Sequence, residues 1–487
     1  MSEDKLKAAE SFKGAGNAHF VKGEYSKAIE EYTKAVETAG SGEKQSAVYF
    51  SNIAFCHIKM ENFGAAIDAT EKAKVADKTF AKAYYRKASA LFALSRLAEA
   101  IKELDYVVKE LGVKSNKDIN ERLAMLRKLK KEQDFLDAIQ HEDELDKCKE
   151  ENLTVEPSYN GPVITRDSPV KLDDVFELLE YLKQQKKLHK KYLWTLLKMA
   201  REVLDQEANV VDVAIGGPVE QITVCGDIHG QYYDLLNIFK MNGYPSAHRP
   251  YLFNGDFVDR GSFSVECMIA LLAFKVAEPG CIYLNRGNHE SVELNKLYGF
   301  EGEVKAKYCP LTFALFNKVF QVLPLGTRIS EKVLVLHGGL FEKEGVKLAD
   351  LQKIQRRGGI PQKGLMCDML WADPTGINGR HPSKRGVSIE FGPDVAERFL
   401  DDNGLGKLTR PTCTVASGQR RRLRDREGRQ GDHGLLRPQI LRPDDQQGRV
   451  HHIQGGPEAK FQGLRRCGKL SRSIRPLRPC TTPPTPP

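Results

Sequence analysis

Four short polar motifs, each placed directly after an apolar run, carry the side chains that could do chemistry in this sequence. They read GDIHG, GDFVDRG, GNHE and HGG, and they follow the runs at 222–225, 251–253, 281–284 and 333–336. Catalytic and metal-binding groups of α/β folds gather where strands end, and glycine at such a junction permits a tight turn. We therefore expect one site that contains Asp227, His229, Asp256, Asp259, Arg260, Asn288, His289 and His337.

These side chains combine carboxylates, imidazoles and an amide oxygen into a mixed nitrogen and oxygen donor set. Such a set suits manganese, iron or zinc, and it argues against a structural zinc site rich in thiolates. A carboxylate flanked by ligands on both sides can bridge two ions, and two ions about 3.5–4 Å apart are the usual arrangement for attack on a phosphate ester. A single GNHE is more often a turn than a site, but four such motifs in order, each after a predicted strand, favour a site.

The elements that must position these motifs alternate between strands and helices from residue 171 onward. Helical stretches such as 173–204 separate or precede the short apolar runs, and this alternation predicts an α/β domain over 171–405. The stretch 146–170 holds three prolines and little periodicity. We interpret it as an interdomain linker.

Residues 9–110 carry an internal repeat. Ala28, Ala66 and Ala100 each precede an isoleucine, and the second and third lie 34 residues apart. A small residue stands twelve positions before each of these alanines: Gly16, Ala54 and Ala88. This period predicts three tetratricopeptide repeats (TPRs) in an all-α superhelix, and the alternative is three unrelated amphipathic helix pairs. Leucines near helical spacing predict one extension helix over 111–145.

The composition sets the class of protein. The 487 residues predict two to four domains, and 41% apolar with 29% charged residues is ordinary for a soluble protein. The sequence has no apolar run of about 18 residues, and the N-terminus lacks the apolar stretch of a secretory signal. The ten cysteines show no CxxC spacing, so we expect reduced thiols in a cytoplasmic and nuclear protein.

The net charge of +9 resides in the C-terminal tail. Residues 410–487 hold 17 basic and 6 acidic residues, whereas the other 409 residues hold 57 and 59. Nucleic-acid binding by the protein as a whole is therefore excluded, and only the Arg-rich tail leaves that class open.

The four motifs together resemble those of the phosphoprotein phosphatase family of serine/threonine phosphatases. The phrases YGFEGEVKAKY, MCDMLWADP, SKRGVS and FGPDV narrow the resemblance to the branch with N-terminal TPRs, and it covers about residues 9–405. It implies a metallophosphatase domain built as a β-sandwich flanked by helices. It also implies two divalent ions (manganese, or iron and zinc) that activate a bridging water to hydrolyse phosphoserine and phosphothreonine.

The resemblance assigns the metal ligands residue by residue. Asp227 and His229 match ligands of the first metal, and Asp256 matches the bridging carboxylate. Asn288 and His337 match ligands of the second metal.

The resemblance also assigns the groups that act on the substrate. His289 matches the general acid that protonates the leaving oxygen, and Asp259 matches the carboxylate that orients this histidine. Arg260 and Arg385 match the phosphate clamp.

A second site is implied on the repeat domain, where the first helix of each repeat lines a groove. Five residues match positions that clamp the terminal carboxylate of a peptide and its last aspartate: Lys13, Asn17, Asn52, Lys82 and Arg86. Each of them alone also fits a solvated surface residue. The implied partners are heat-shock chaperones of the 90 and 70 classes, whose tails end in an acidic EEVD motif. In this family the repeat domain also covers the active site until a chaperone tail or a lipid draws it away.

The resemblance ends between Leu405 and Arg410. The family continues with an Arg-Ser-His-Glu phrase whose histidine is another ligand of the second metal, whereas this sequence has Thr412 there. Residues 406–487 are rich in Arg and Pro, so we expect no strands and interpret them as an out-of-frame or disordered tail that leaves the domain incomplete. The rival is a genuine basic tail that binds RNA or membranes.

The sequence is consistent with two functions. The first is a metal-dependent serine/threonine phosphatase with a chaperone-docking, autoinhibitory repeat domain. The alternative is a catalytically impaired adaptor that only binds chaperones, because the last metal ligand and the final strands are missing.

Overall fold

The computed structural model of this chain describes residues 3–113, 116–138, 149–410, 413–416, 449–454 and 460–466. A helical domain precedes an α/β domain, as the sequence predicts. The helical domain consists of α1 (Glu3–Val21), α2 (Tyr25–Ala39), α3 (Ser46–Lys59), α4 (Phe63–Ala76), α5 (Ala81–Ala93), α6 (Leu97–Lys109) and α7 (Lys117–Ala138).

The three predicted repeats correspond to the helix pairs α1–α2, α3–α4 and α5–α6, and the two helices of each pair pack against each other. The repeat alanines Ala28, Ala66 and Ala100 are fully buried. At Gly16, a Cβ atom would lie 2.6 Å from the ring of Tyr32. The small residues of the repeat are therefore those that close helix packing requires.

The extension helix starts later than the sequence predicts. α7 begins at Lys117 and packs against α6 through Ile119, Leu123 and Leu126. The end of the predicted helix lies outside the described residues, since 139–148 are not among them. Within residues 149–170 the regular structure is one 3₁₀ turn at Glu150–Asn152, which agrees with a linker.

The α/β domain consists of ten further helices and thirteen strands within the described residues. The helices are α8 (Leu172–Lys183), α9 (Lys190–Asp205), α10 (Tyr232–Asn242), α11 (Ser264–Ala277), α12 (Val292–Tyr298), α13 (Phe300–Lys307), α14 (Pro310–Phe320), α15 (Leu348–Leu351), α16 (Leu365–Trp371) and α17 (Pro393–Asp402). The strands are β1 (Val210–Val213), β2 (Gln221–Cys225), β3 (Tyr251–Phe253), β4 (Ile282–Leu284), β5 (Gly326–Ile329), β6 (Val333–Leu336), β7 (Asp373–Pro374), β8 (Arg380–Pro382), β9 (Ile389–Phe391), β10 (Lys407–Arg410), β11 (Cys413–Ala416), β12 (Arg449–Gln454) and β13 (Lys460–Arg466).

Two five-stranded sheets bring the motifs together. One has the order β1-β5-β6-β10-β11 and the other β13-β12-β2-β3-β4. Apolar side chains of both sheets share one buried cluster, which includes Val224 and Leu252 from the second sheet and Val335 from the first. β2, β3 and β4 run parallel, so their carboxyl ends, and the motifs that follow them, meet at one edge. β6 delivers the HGG motif from the other sheet.

The expectation that no strand follows residue 405 is wrong. β10 pairs in parallel with β6, and β12 pairs antiparallel with β2. Strands of four to seven residues are invisible in the average composition of an eighty-residue segment. RVHHIQ at 449–454 contains β-branched residues, which favour a strand. The composition of the whole segment, rich in arginine and proline, outweighed this local pattern in the prediction.

Candidate metal centre and active site

Strained backbone marks the loops that carry the motifs. His229, Asp256, Asp259 and Arg260 all have positive φ, between 45° and 71°. Residues other than glycine adopt this region at an energetic cost, and such residues cluster at functional sites. The turns after β2 and β3 therefore place their side chains in a geometry that an ordinary loop would not adopt.

The imidazole of His229 presents one free nitrogen to the site. Its Nδ1 lies 2.8 Å from the carbonyl oxygen of Val258, so Nε2 is left to face Asp256 Oδ2 at 3.6 Å. Burial, and next the neighbouring His289, lower the pKa of His229 to about 4. A neutral imidazole with its other nitrogen donating to a carbonyl is the form that binds a metal.

His337 repeats this arrangement on the other sheet. Its Nδ1 lies 2.8 Å from the carbonyl of Asn254, and its Nε2 lies 3.0 Å from Asn288 Oδ1 and 3.4 Å from Asp256 Oδ1. Burial opposes the ionisation of Asp256, but His337, His289 and His229 lower its pKa to about 2. Asp256 is therefore an anionic carboxylate with imidazoles on both of its oxygens.

These donors fit divalent metal ions. Asp227, Asp256 and His337 offer ligand atoms within 4.8 Å of one another, and so do His229, Asp256 and His289. Asp256 belongs to both groups, as a bridging ligand would. Asp227 therefore shares a donor group with His337, whereas the resemblance assigns it to the first metal together with His229.

Glu290 holds the Asp256 loop in place. Its carboxylate accepts hydrogen bonds from the backbone N–H groups of Asp256, Phe257 and Gly287, at 2.8, 2.9 and 2.8 Å. A Cβ atom at Gly287 would lie 2.3 Å from Asp256 Oδ1, which explains the glycine before Asn288. The sequence motif contained Glu290, but its type and spacing gave no role to it.

His289 and Asp259 form a buried pair. Nδ1 of His289 lies 2.8 Å from Asp259 Oδ2, and the other Asp259 oxygen accepts the Phe300 N–H at 3.0 Å. Both side chains are fully buried. Burial opposes protonation of His289, but the carboxylates of Glu61 and Asp256 raise its pKa well above its usual range. The pair therefore has the geometry and the charge of a proton donor.

Glu61 of the repeat domain reaches into this site. It follows α3 with a φ of 59°, and its carboxylate contacts the guanidinium of Arg260 and lies 2.7 Å from His289 Nε2. Arg385 approaches the same carboxylate at 3.5 Å and is held by Asp373 at 2.5 Å. Burial opposes the ionisation of Glu61, but Arg260 and then His289 hold its pKa well below its usual range.

Further contacts hold the two domains together around Glu61. The Gly64 N–H donates to the carbonyl of Arg385 at 2.9 Å, and the Ala65 N–H donates to the carbonyl of Lys384 at 3.1 Å. Phe63 packs against the ring of Trp371. The start of α4 therefore docks on the loop that carries one of the two arginines.

The five predicted clamp residues all lie on the first helices of the repeats. Lys13 contacts Glu10, Asn17 accepts the hydroxyl of Tyr32 at 2.7 Å, and Lys82 is exposed. Arg86 donates to Ser51 and to Asn52, at 2.7 and 3.2 Å, and lies over the ring of Phe55. The structure thus joins Asn52 and Arg86 by a hydrogen bond, and it shows no hydrogen bond or ion pair from either of these two described residues to Lys82.

Several residues of the site were not predicted from the sequence. Glu61 lies 199 and 228 residues from its two main partners, and no local motif marks it. Asn254 and Asp373 support site residues from positions that carried no assigned role. Thr412, at the place of the family's further histidine, lies outside the described residues.

Among the described residues, no helix combines the length and the apolar character that a membrane span requires. Cys56, Cys225, Cys267, Cys281, Cys309 and Cys367 are free thiols, and all of them except Cys309 are buried.

The chain is similar to known phosphatases along most of its length. Residues 221–408 match the calcineurin-like phosphoesterase family, and residues 123–212 match the PPP5 TPR repeat region. It is 43% identical to serine/threonine-protein phosphatase 5 of Homo sapiens over 418 aligned residues. The aligned region covers 85% of this chain and 82% of the human protein. It is 40% identical over 417 residues to serine/threonine-protein phosphatase T of Aspergillus oryzae, which covers 84% and 85%. A solved protein serine/threonine phosphatase from Saccharomyces cerevisiae, with similarity to human phosphatase PP5, is 43% identical with a TM-score of 0.46. It covers 47% of this chain and 72% of its own.

Proposed function

This chain belongs to the serine/threonine-protein phosphatase 5 family, and from that membership we propose that its repeat domain closes the active site and that an acidic chaperone tail opens it. The chain is a protein-serine/threonine phosphatase with a domain for divalent metal ions. The arrangement of its residues suggests which of them bind the metal ions, which bind the phosphate and which donates the proton.

Two divalent ions held by the donors around Asp256 would supply an activated water and neutralise phosphate charge. We propose manganese, or iron with zinc, as those ions. Arg260 and Arg385 both face the position of the Glu61 carboxylate. Two guanidinium groups at that position can bind phosphate oxygens. His289 faces the same point and donates a proton to the departing seryl or threonyl oxygen, oriented by Asp259.

One observation carries the proposed closed state: the position of the Glu61 carboxylate. It contacts Arg260, His289 and Arg385, which are the groups that a phosphate and its leaving oxygen require. An anion seated there competes directly with the substrate.

The proposed opening signal acts through α3. Asn52 lies within this helix, and Glu61 lies in the turn just after it. A peptide carboxylate recognised by Lys13 and Arg86 must compete with the contacts that both make to neighbouring side chains. Occupation of the groove therefore acts on the helix that presents Glu61. We propose chaperones of the 90 and 70 classes as the source of this peptide, in the cytoplasm and the nucleus.

The adaptor function keeps one argument in its favour. The family's further histidine ligand is replaced by Thr412 in the sequence. If no other group takes its place, the second metal is bound weakly, and the chain acts only by binding its partner.

The test is hydrolysis of a phosphoserine peptide in Mn²⁺ by the wild type, Glu61→Gln and His289→Ala. We expect Glu61→Gln to raise the rate by about tenfold, within the usual range of coupling between sites, and His289→Ala to abolish it. A peptide that ends in EEVD should activate the wild type but not Glu61→Gln.

The matched control is Glu37→Gln, which alters an exposed glutamate of α2 and should leave the rate unchanged. Equal rates for Glu61→Gln and the wild type would rule out the closed state. Binding of the acidic peptide without turnover in any form would favour the adaptor.

A further inference from the structure

Asn295, on α12, takes no part in the chemistry proposed above but lies against both members of the Asp259–His289 pair. Its Nδ2 donates to Asp259 Oδ2 at 3.0 Å and to the backbone carbonyl of His289 at 2.7 Å. That Asp259 oxygen is the one that lies 2.8 Å from His289 Nδ1. Asn295 is fully buried, so bulk water cannot replace these two bonds.

The chemistry of its neighbours fixes the orientation of this amide. Both of them are acceptors, so Oδ1 in the place of Nδ2 would face a carboxylate and a carbonyl. Oδ1 instead points to a buried position where it has no hydrogen-bond partner among the described residues. An unpartnered buried oxygen is destabilising, so an apolar side chain would suit this position better if packing were its only role.

We infer that Asn295 is a positioning residue for the general acid, an inference that rests on the proposed role of His289. Its two donated bonds hold the Asp259 carboxylate and the His289 backbone in one arrangement. This arrangement aims His289 Nε2 at the leaving oxygen. Without the Asn295 amide, Asp259 still accepts the Phe300 N–H with its other oxygen, but its carboxylate is free to rotate away from the imidazole.

The first experiment compares leaving groups. The alkoxide of a phosphoserine peptide needs a proton to depart, whereas the nitrophenolate of p-nitrophenyl phosphate departs without one. We expect Asn295→Leu to lower kcat for the peptide by about 10- to 100-fold with KM unchanged. For p-nitrophenyl phosphate we expect a loss below about threefold.

The control is Asn317→Leu. Asn317 is a buried asparagine of α14 that donates to the Phe313 carbonyl of its own helix, at 2.9 Å. It should leave the ratio of the two substrates unchanged. Equal losses on both substrates in Asn295→Leu, or the same change of ratio in Asn317→Leu, would overturn the inference.

A second experiment does not require turnover. In the metal-free full chain, the Nδ1 proton shared with Asp259 gives a downfield NMR resonance, which is assigned by its loss in His289→Ala. We expect Asn295→Leu to shift or broaden this resonance and Asn317→Leu to leave it in place.

If thermal unfolding shows that Asn295→Leu is not folded, the isosteric Asn295→Asp takes its place. An unchanged resonance in a folded Asn295 variant overturns the inference. Absence of all turnover in the wild type contradicts the proposed function alone.

Discussion

The carboxylate of Glu61 lies 2.7 Å from Nε2 of His289, although 228 residues separate the two in the chain. Both side chains are buried, with 5% of Glu61 and none of His289 exposed. The other imidazole nitrogen is engaged by Asp259, so Nε2 is the atom left to face a leaving oxygen. In this arrangement a carboxylate of the repeat domain contacts the general acid His289 directly, and the domain does not merely cover the entrance to the site.

This contact makes the stability of the metal-free protein depend on pH. The pKa of Glu61 is depressed from its ordinary 4.5, so its contribution is present above pH 4.5 and is lost as the pH falls through the lower, folded-state value. The pKa of His289 is raised from 6.5, so its contribution is complete below pH 6.5 and is lost as the pH rises through the higher value.

We therefore expect the melting temperature of EDTA-treated wild type to exceed that of Glu61→Gln most between pH 4.5 and 6.5. The difference there should be about 3 °C or more, and it should shrink toward both extremes. Thermal unfolding followed by circular dichroism measures it, with Glu37→Gln as the control. A difference that grows steadily with pH would show that the two groups are not paired.

The backbone contact at Gly64 offers a way to separate the domains without substituting a side chain of the site. A Cβ atom at Gly64 would lie 2.6 Å from the Cα of Gly386, and backbone atoms cannot yield as a flexible side chain can. We expect Gly64→Val to weaken docking and to raise phosphopeptide hydrolysis by about five- to tenfold. The control is Gly42→Val, where the added atom meets nothing within 4 Å. Hydrolysis that stays at the wild-type rate in Gly64→Val would show that docking does not limit activity.

Local patterns allowed much of the fold to be predicted. The 34-residue period of small residues predicted the repeats because small side chains allow neighbouring helices to pack closely, and Ala66 is fully buried. The runs that became β3 and β6 are entirely buried, so an apolar run was enough to locate them. β12 escaped because its residues lie in a basic segment, and its partner β2 is more than 220 residues earlier. Pairing over that distance leaves no mark on local composition.

The residues of the site also fall into those that local patterns predict and those that they do not. Asp227 and Asp256 were predictable because each follows one of two parallel strands, whose carboxyl ends meet at one edge of the sheet. His337 was predictable because it directly follows the buried run that became β6, although β6 belongs to the other sheet. Glu61 was not predictable, since it lies in a turn of the repeat domain just after α3 and only docking of the two domains gives it a role. Asn295 lies on a helix after the GNHE motif, and only the direction of its amide reveals its partners.

The clamp makes a separate prediction on the repeat domain. Lys82 is exposed on α5, so its removal should change charge in the groove with little effect on folding. We expect Lys82→Ala to weaken binding of a peptide ending in EEVD by about tenfold or more, the value of one charge-assisted hydrogen bond. Calorimetric titration measures it. Lys72→Ala, at an exposed lysine of α4, should bind as the wild type does, and an equal loss there would mean that only net charge matters.

Metal content distinguishes the phosphatase from the adaptor. Asp256 belongs to both donor groups, whereas His337 belongs to one, so Asp256→Asn should abolish Mn²⁺ binding and His337→Ala should remove one site. We expect two Mn²⁺ ions per wild-type chain after dialysis, one in His337→Ala and none in Asp256→Asn, as measured by mass spectrometry of the metal. Asp401→Asn, at an exposed aspartate of α17, should retain both. A wild type that holds a single ion, which His337→Ala does not remove, would mean that Thr412 leaves the second site too weak, and the chain would then be an adaptor.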